Sequence, residues 1–283
     1  MSTKKPHITL IGAGNLAQAL GPALKAAGYT IDAVVSRSLP ASKRRAAALA
    51  GKADAALVTL KEFAPGSKII WLCHTDDALA ESARLLSRKR DWQGKIVLHS
   101  SGALSSDVLA PLRRAGAFTA SLHPMMTFVP GTKPAMKKVP FAVEGDRQAV
   151  AAARRIARAL QAEAFELRKQ NKVLYHALGS FSSPMIVATL VTAERVGRAA
   201  GLSPKQVAMV MERILLQTIT NYIQRGPAAA FSGPIKRGDV ETVRAHLREL
   251  QRVPEAGDVY RALVRSSLRD LPSGNKKGML KLL

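Results

Sequence analysis

The sequence predicts an α/β domain followed by an all-helical one, and three observations carry that reading. Residues 8–11 form a short apolar run that ends at Gly12-Ala13-Gly14, with Ala17 three positions further on. Similar short runs recur at 31–35, 68–72, 96–98, 117–122, 139–143 and 164–167, separated by segments whose apolar residues repeat at helical spacing. From Lys169 onward the strand-like runs stop, and apolar residues recur every three or four positions almost to the C-terminus. The expected division is therefore a domain over 1–168 with parallel strands and crossover helices, and a helical domain over 169–283.

The first run sets the rest. Leu16, Ala19, Leu20, Ala23, Leu24 and Ala27 follow it at helical spacing, so G-x-G-x-x-A lies on a strand, tight turn and helix. In that setting Gly12 permits the turn, Gly14 lets backbone approach a pyrophosphate, and Ala17 lets helix and strand pack closely. The helix start at Asn15 and Leu16 offers free N–H groups and a positive dipole end to phosphates. A Rossmann-type dinucleotide-binding domain is expected, although Pro22 must remove one helical hydrogen bond.

The second run ends at Ser36-Arg37-Ser38, where an acid would bind the ribose of NAD; none is present, and Asp32 lies at the far end of the strand. A guanidinium between two hydroxyls, with Lys43, Arg44 and Arg45 downstream, suits a 2′-phosphate, so NADP is the expected cofactor. The run at 68–72 leads into Cys73-His74-Thr75-Asp76-Asp77, with Asp76 or Asp77 expected to cap a helix through Leu79, Ala83 and Leu86. The runs at 96–98 and 117–122 end at His99-Ser100-Ser101-Gly102 and His123-Pro124-Met125-Met126. Ligands of open α/β sheets bind outside the carboxyl ends of strands, so Ser100 joins the cofactor candidates and Ser101 and His123 the catalytic ones. Between them, Ser105 or Ser106 starts a helix through Leu112. In the helical half, Gly179 and Pro184 interrupt the first long apolar segment. Ser203-Pro204-Lys205-Gln206 forms a capping box, 231–238 reads as a loop, and Asp239 caps a helix through Val243 and Leu247.

Composition narrows the class. With 47% apolar residues among 283, a sizeable core is assured. The single cysteine, Cys73, excludes an intrachain disulfide, and no Cys/His spacing suggests a metal site. No apolar run approaches the ~18 residues that cross a bilayer, and the N-terminal run is too short for a signal peptide, so a cytoplasmic protein with no membrane partner is expected. The net charge of +23 raises nucleic-acid binding. The charge is spread along the chain with few aromatics to stack on bases, and an anionic cofactor and substrate account for it more simply.

Four stretches in this order and spacing also carry a resemblance: Gly12-Ala13-Gly14-Asn15-Leu16-Ala17; His99-Ser100-Ser101-Gly102; Leu122-His123-Pro124-Met125-Met126-Thr127-Phe128; and Gly233-Pro234-Ile235-Lys236-Arg237-Gly238-Asp239. Together they resemble the Rossmann-like proteins with the helical domain of unknown function 2520. Those proteins look like a branch of the superfamily of pyrroline-5-carboxylate reductase, 6-phosphogluconate dehydrogenase, prephenate dehydrogenase and ketopantoate reductase. The resemblance implies an NADP-linked oxidoreductase that dimerises through its helical domain; it implies no substrate. His123-Pro124-Met125 is similar to the His-Pro-Met of prephenate dehydrogenases, whose histidine contacts the substrate hydroxyl. Lys172 and His176 resemble the lysine-containing catalytic segment of 6-phosphogluconate and hydroxyisobutyrate dehydrogenases, but that family's lysine-histidine-asparagine pattern is not reproduced, and Ser182-Ser183-Pro184 departs from the Ser-Asn of related sequences. The 233–239 loop is similar in place to the substrate-side loop of pyrroline-5-carboxylate reductases, where Lys236 or Arg237 would present a cation.

The expected function is hydride transfer between NADPH and a C=O or C=N bond of a small anionic metabolite; the alternative is an NADP-binding sensor without catalysis. Ser101, His123, Lys172 and His176 are the catalytic candidates. A lysine or histidine can supply the proton that reduction needs, and Lys172 and His176, four apart, share one helical face.

Overall fold

A computed structural model of the chain describes residues 5–37, 39–132 and 135–283. It divides into two compact units, Met1–Phe181 and Ser182–Leu283. In the first unit β1 (Ile8–Ile11), α1 (Asn15–Ala26), β2 (Ile31–Ser36), α2 (Pro40–Ala53) and β3 (Ala56–Thr59) are followed by β4 (Ile69–Leu72), α3 (Asp76–Ser87) and β5 (Ile96–His99). Then come α4 (Ala110–Arg114), β6 (Phe118–Pro124), β7 (Pro140–Gly145), α5 (Arg147–Ala159), β8 (Glu163–Glu166) and α6 (Lys172–Ser182).

The strands form one eight-stranded sheet in the order β3-β2-β1-β4-β5-β6-β7-β8. β1 to β6 run parallel, β6 and β7 pair antiparallel, and β8 returns parallel to β7. The chain order reverses between β1 and β4, which creates the crevice at their carboxyl ends. Helices cover both faces, so β1, β4 and β5 are buried along their whole length rather than on alternate residues. Leu10 and Trp71 pack on one side with α1, α2 and α5. Ile11, Ile70 and Leu72 pack on the other with α3 and α4.

Several expectations are refined. Helix α2 and edge strand β3 were not foreseen: α2 buries only Ala46, Leu49, Ala50 and Ala53, and half of β3 is exposed. Thr75, not Asp76 or Asp77, stands at the cap position of α3; the two acids occupy its first turn, where they complement the dipole. Ser105 caps a short 3₁₀ turn that leads into α4. Asp32 bonds His7 and Ser67, away from the crevice. Helix α1 runs through Pro22 without ending. The first unit also reaches past residue 168 to take in α6 up to Phe181, because that helix is anchored in the sheet by the buried side chain of Lys172.

The second unit comprises α7 (Pro184–Ala199), α8 (Pro204–Arg225), α9 (Pro227–Ala230), α10 (Pro234–Arg237), α11 (Val240–Glu249), α12 (Ala256–Asp270) and α13 (Lys276–Leu280). The capping box at Ser203 and Gln206 and the Asp239 cap on Thr242 both form. α10 occupies what reads as a loop at 231–238. A small core joins Val243, Leu247, Val264, Leu268 and Met279. One expectation needs correction. Lys169–Ala199 is a helical stretch of 31 residues, long and apolar enough by length and composition to cross a membrane. Ser183 breaks it at φ −138°, ψ −82°, leaving helices of 11 and 16 residues, each below the ~20 that span a bilayer.

Gly145 ends β7 at φ +139°, and a Cβ there would lie 2.4 Å from the Thr119 carbonyl oxygen and 2.6 Å from the Ala120 Cα, both backbone atoms of β6. Gly145→Ala should therefore lose at least about 2 kcal/mol of stability, read as a lower urea midpoint at unchanged m-value. An unchanged midpoint would mean the β6–β7 pairing yields more easily than this packing implies.

Candidate active site

Two groups of side chains gather at the carboxyl ends of the parallel strands. The first surrounds the glycine turn. Gly12 has φ +103°, and a Cβ on it would meet the Cys73 carbonyl oxygen at 2.8 Å, so only glycine lets β1 close against the end of β4. Gly14 holds the cap position of α1 in an extended conformation with no side-chain cap, which leaves first-turn N–H groups without a partner among the described residues and open to an anion. The cleft beside this turn is walled by Ser36, Arg37, Ser42, Arg45 and His74. This arrangement fits a dinucleotide: a cradle that a Cβ would fill, a bare helix N-terminus and two guanidinium-bearing residues at the end of β2 and on α2.

The cofactor candidates divide accordingly. Gly12, Gly14, Ser36 and Arg37 line this cleft. Of the downstream basic residues, Arg45 lines it, along with Ser42. The Asn15 side chain is used within the protein, its Nδ2 donating to the Phe128 carbonyl at 2.9 Å and its Oδ1 accepting from Arg45 at 2.8 Å. Leu16 packs against the core. The Ser100 hydroxyl accepts the Trp71 indole N–H at 2.7 Å. Ser38 lies outside the described residues.

The second group is built around a buried cation. Lys172, 1% exposed, donates from Nζ to the Ser101 carbonyl at 2.9 Å and the Ser121 hydroxyl at 2.6 Å. Burial lowers its pKa to about 8, against the pull of Glu144 and Asp76. Ser121 pairs in register with Glu144 across β6 and β7, and the Glu144 carboxylate accepts from the Ser106 N–H and hydroxyl, each at 2.7 Å. The Ser101 hydroxyl accepts from the N–H groups of Ala103 and Leu104, so it shapes the turn after β5. Two residues along β6 from Ser121, on the same face, stands His123. Its Nδ1 lies 3.0 Å from the Tyr175 hydroxyl, and its ring centroid is 6.2 Å from that of His176. A Cβ on Gly102 would fall 2.9 Å from His123 Nε2 and 2.6 Å from His176 Cδ2, so this glycine makes room for both rings.

Lys172, Ser101 and His123 are thus brought together, and His176 flanks them from the exposed side of α6. Sequence reasoning missed Ser121, Glu144 and Tyr175. The signals for two of them were present: Ser121 shares a strand face with His123, and Tyr175 stands one helical turn after Lys172.

Electrostatically the site is a row of neutral imidazoles. Burial, then Arg37, holds His74 to about 4. Burial, then Lys172, holds His99 to about 3. Burial, then Lys172 and His176, holds His123 to about 4. Each folded value lies below the ~6.5 of a free imidazole. As pH falls from about 6.5 toward 4, the unfolded chain takes up protons that the folded chain refuses, so stability drops. The urea midpoint should be lower at pH 5 than at pH 7, and His99→Leu should shrink that difference while lowering both midpoints. A midpoint that stays constant between the two pH values would contradict the buried neutral state.

Comparison with known proteins agrees with this architecture. Residues 2–124 match the model of a Rossmann-like domain, and residues 139–267 match the domain of unknown function DUF2520. The second match begins at β7, so it takes in the last two strands of the sheet as well as helices. No curated relative matches the chain. Among solved structures, the provisionally named NADP oxidoreductase BF3122 of Bacteroides fragilis is 26% identical, with a TM-score of 0.77 over 93% of this chain and 98% of its own. An imine reductase from Myxococcus stipitatus, a variant solved with NAD+, is 20% identical at TM-score 0.61 over 98% of both chains. A pyrroline-5-carboxylate reductase from Coxiella burnetii is 15% identical at TM-score 0.56, covering 93% of this chain and 97% of its own. At these identities the last two share the fold. The chain thus joins a Rossmann-like domain to the domain of unknown function 2520.

Proposed function

We propose that the protein is an NADP-dependent oxidoreductase that transfers a hydride between NADPH and the C=O or C=N bond of a small anionic metabolite. The observation that carries this reading is the pairing of an anion cradle at Gly12 and Gly14 with a polar cluster, Lys172, His123 and Tyr175, at the ends of neighbouring strands. The likeness to BF3122 supports it. NADPH, when bound, supplies the hydride; the chain's own residues orient both partners and manage the proton. Arg37 pairs with the 2′-phosphate, helped by Ser36, Ser42 and Arg45. His123, neutral and fixed through Nδ1 by Tyr175, orients the oxygen or nitrogen being reduced through its Nε2–H, and the proton taken up in the reduction comes from solvent. Lys172 is a positioning residue: it fixes the Ser101 carbonyl and sets a positive field behind His123 that favours developing negative charge. The net charge of +23 favours an anionic substrate.

Arg37→Ala should weaken NADPH roughly 10- to 100-fold, the worth of a hydrogen bond to a charged group, while NADH affinity hardly changes. Equal losses for both cofactors in a fluorescence titration would reduce Arg37 to a structural role.

For turnover, NADPH and a panel of keto acids, aldehydes and imines identify a substrate. His123→Ala and Lys172→Met should then lower kcat ~10²–10⁴-fold and His176→Ala less, all with NADPH affinity within a few fold of the parent. The rate should also fall as pH rises through about 8, where Lys172 loses its proton, and Lys172→Met should abolish that limb. If all three variants turn over like the parent, the reaction centre lies elsewhere. Tight NADPH binding with no turnover across the panel favours the sensor.

The protein also acts as a homodimer in this reading. In the second unit α7 exposes Met185, Val187 and Val191, and α8 exposes Met209, Val210, Ile214, Leu216 and Ile223, the last at 75%. Apolar surface on that scale is characteristic of an interface. Light scattering at micromolar concentration should give twice the chain mass of 30.3 kDa; a monomer would refute the dimer.

A further inference from the structure

His74 follows β4 at the crevice where the strand order reverses, and no role above uses it. It lines the same cleft as the glycine turn. Its Nδ1 lies 3.5 Å from the point a Cβ on Gly12 would occupy, so it borders the space the missing side chain leaves open. Its Nε2 is buried and finds no hydrogen-bond partner among the described residues.

Those two nitrogens fix where the ring proton sits. Burial and the neighbouring Arg37 keep the ring neutral, so it carries a single N–H. A proton on Nε2 would leave a buried donor unpaired, the kind of orphan that native structures rarely tolerate. A proton on Nδ1 leaves only a bare lone pair inside and turns the donor toward the glycine cradle. Beside that cradle the N–H groups of the first turn of α1 also offer donors to an anion.

We infer that His74 is a dinucleotide-binding residue whose Nδ1–H donates to a pyrophosphate oxygen of the cofactor laid across the Gly12–Gly14 turn. The inference rests on reading the cleft as a dinucleotide site and adds a contact beside the glycines. It has a distinguishing consequence. The pyrophosphate is common to NADH and NADPH, so losing His74 weakens both cofactors equally, unlike losing Arg37.

The test measures dissociation constants for NADPH and NADH by fluorescence titration in the parent, His74→Leu and His74→Asn. Long-range ¹H–¹⁵N spectra of histidine-labelled parent protein accompany them. His74→Leu should weaken both cofactors roughly 10-fold. His74→Asn, whose amide nitrogen takes the place of Nδ1, should stay within about 3-fold of the parent. The spectra should show the His74 proton on Nδ1, with that resonance moving when NADP+ is added. Should the leucine variant fail to fold, the spectra and the asparagine variant decide. A folded leucine variant that binds both cofactors like the parent, or a ring proton on Nε2 in the presence of NADP+, overturns the assignment of His74 alone. A parent protein that binds neither cofactor overturns the dinucleotide reading, and this inference with it.

Discussion

The cleft of the first unit depends on the contact between the backbone of Gly12 and the carbonyl of Cys73. β1 and β4 are neighbours in the sheet although β2, β3 and their helices intervene in the chain. The turn leaving β1 must therefore pass directly over the end of β4. There is no space for a side chain: a Cβ would stand 2.8 Å from the Cys73 oxygen. Because the turn is bare, α1 begins close to the sheet with its first N–H groups uncovered. The anion cradle is thus a by-product of how two buried strands are brought together, and the residues that sit around it, from the end of β2 to His74, inherit their positions from it.

A second constraint holds the other half of the site. Burying an ammonium is expensive unless it is hydrogen-bonded and compensated. Lys172 meets that condition with the Ser101 carbonyl, the Ser121 hydroxyl and the nearby Glu144 carboxylate. The cost fixes α6 in one register against the strand ends, which places Tyr175 against His123. The same cation discourages protonation of His99 and His123. Stability and site electrostatics therefore share one group, and a substitution at Lys172 disturbs both.

Much of this was legible in the residues because the signals were local. The glycine turn follows its strand directly, the Ser203 box and the Asp239 cap depend on a neighbour three residues away, and the buried strands are continuous apolar runs. What escaped was either weakly patterned or nonlocal. α2 is rich in alanine and basic residues and shows no broad apolar stripe, while β3 is an edge strand with exposed residues. Ser121 and Glu144 meet only because β6 and β7 pair antiparallel in one register. Ser101 and Asn15 were singled out for their positions, just after β5 and at the start of α1. Their side chains, however, serve the neighbouring backbone and Arg45, which no spacing rule reveals.

A phosphorylated dinucleotide laid across the Gly12–Gly14 turn would carry its reactive end toward His123, and a crystal structure of the protein grown with NADP+ is the decisive experiment. Pyrophosphate density is expected at the N-terminus of α1, the 2′-phosphate against Arg37, and the nicotinamide beside the Gly102–His123 cluster. A nucleotide bound away from this turn, or one whose 2′-phosphate makes no contact with Arg37, would contradict that placement.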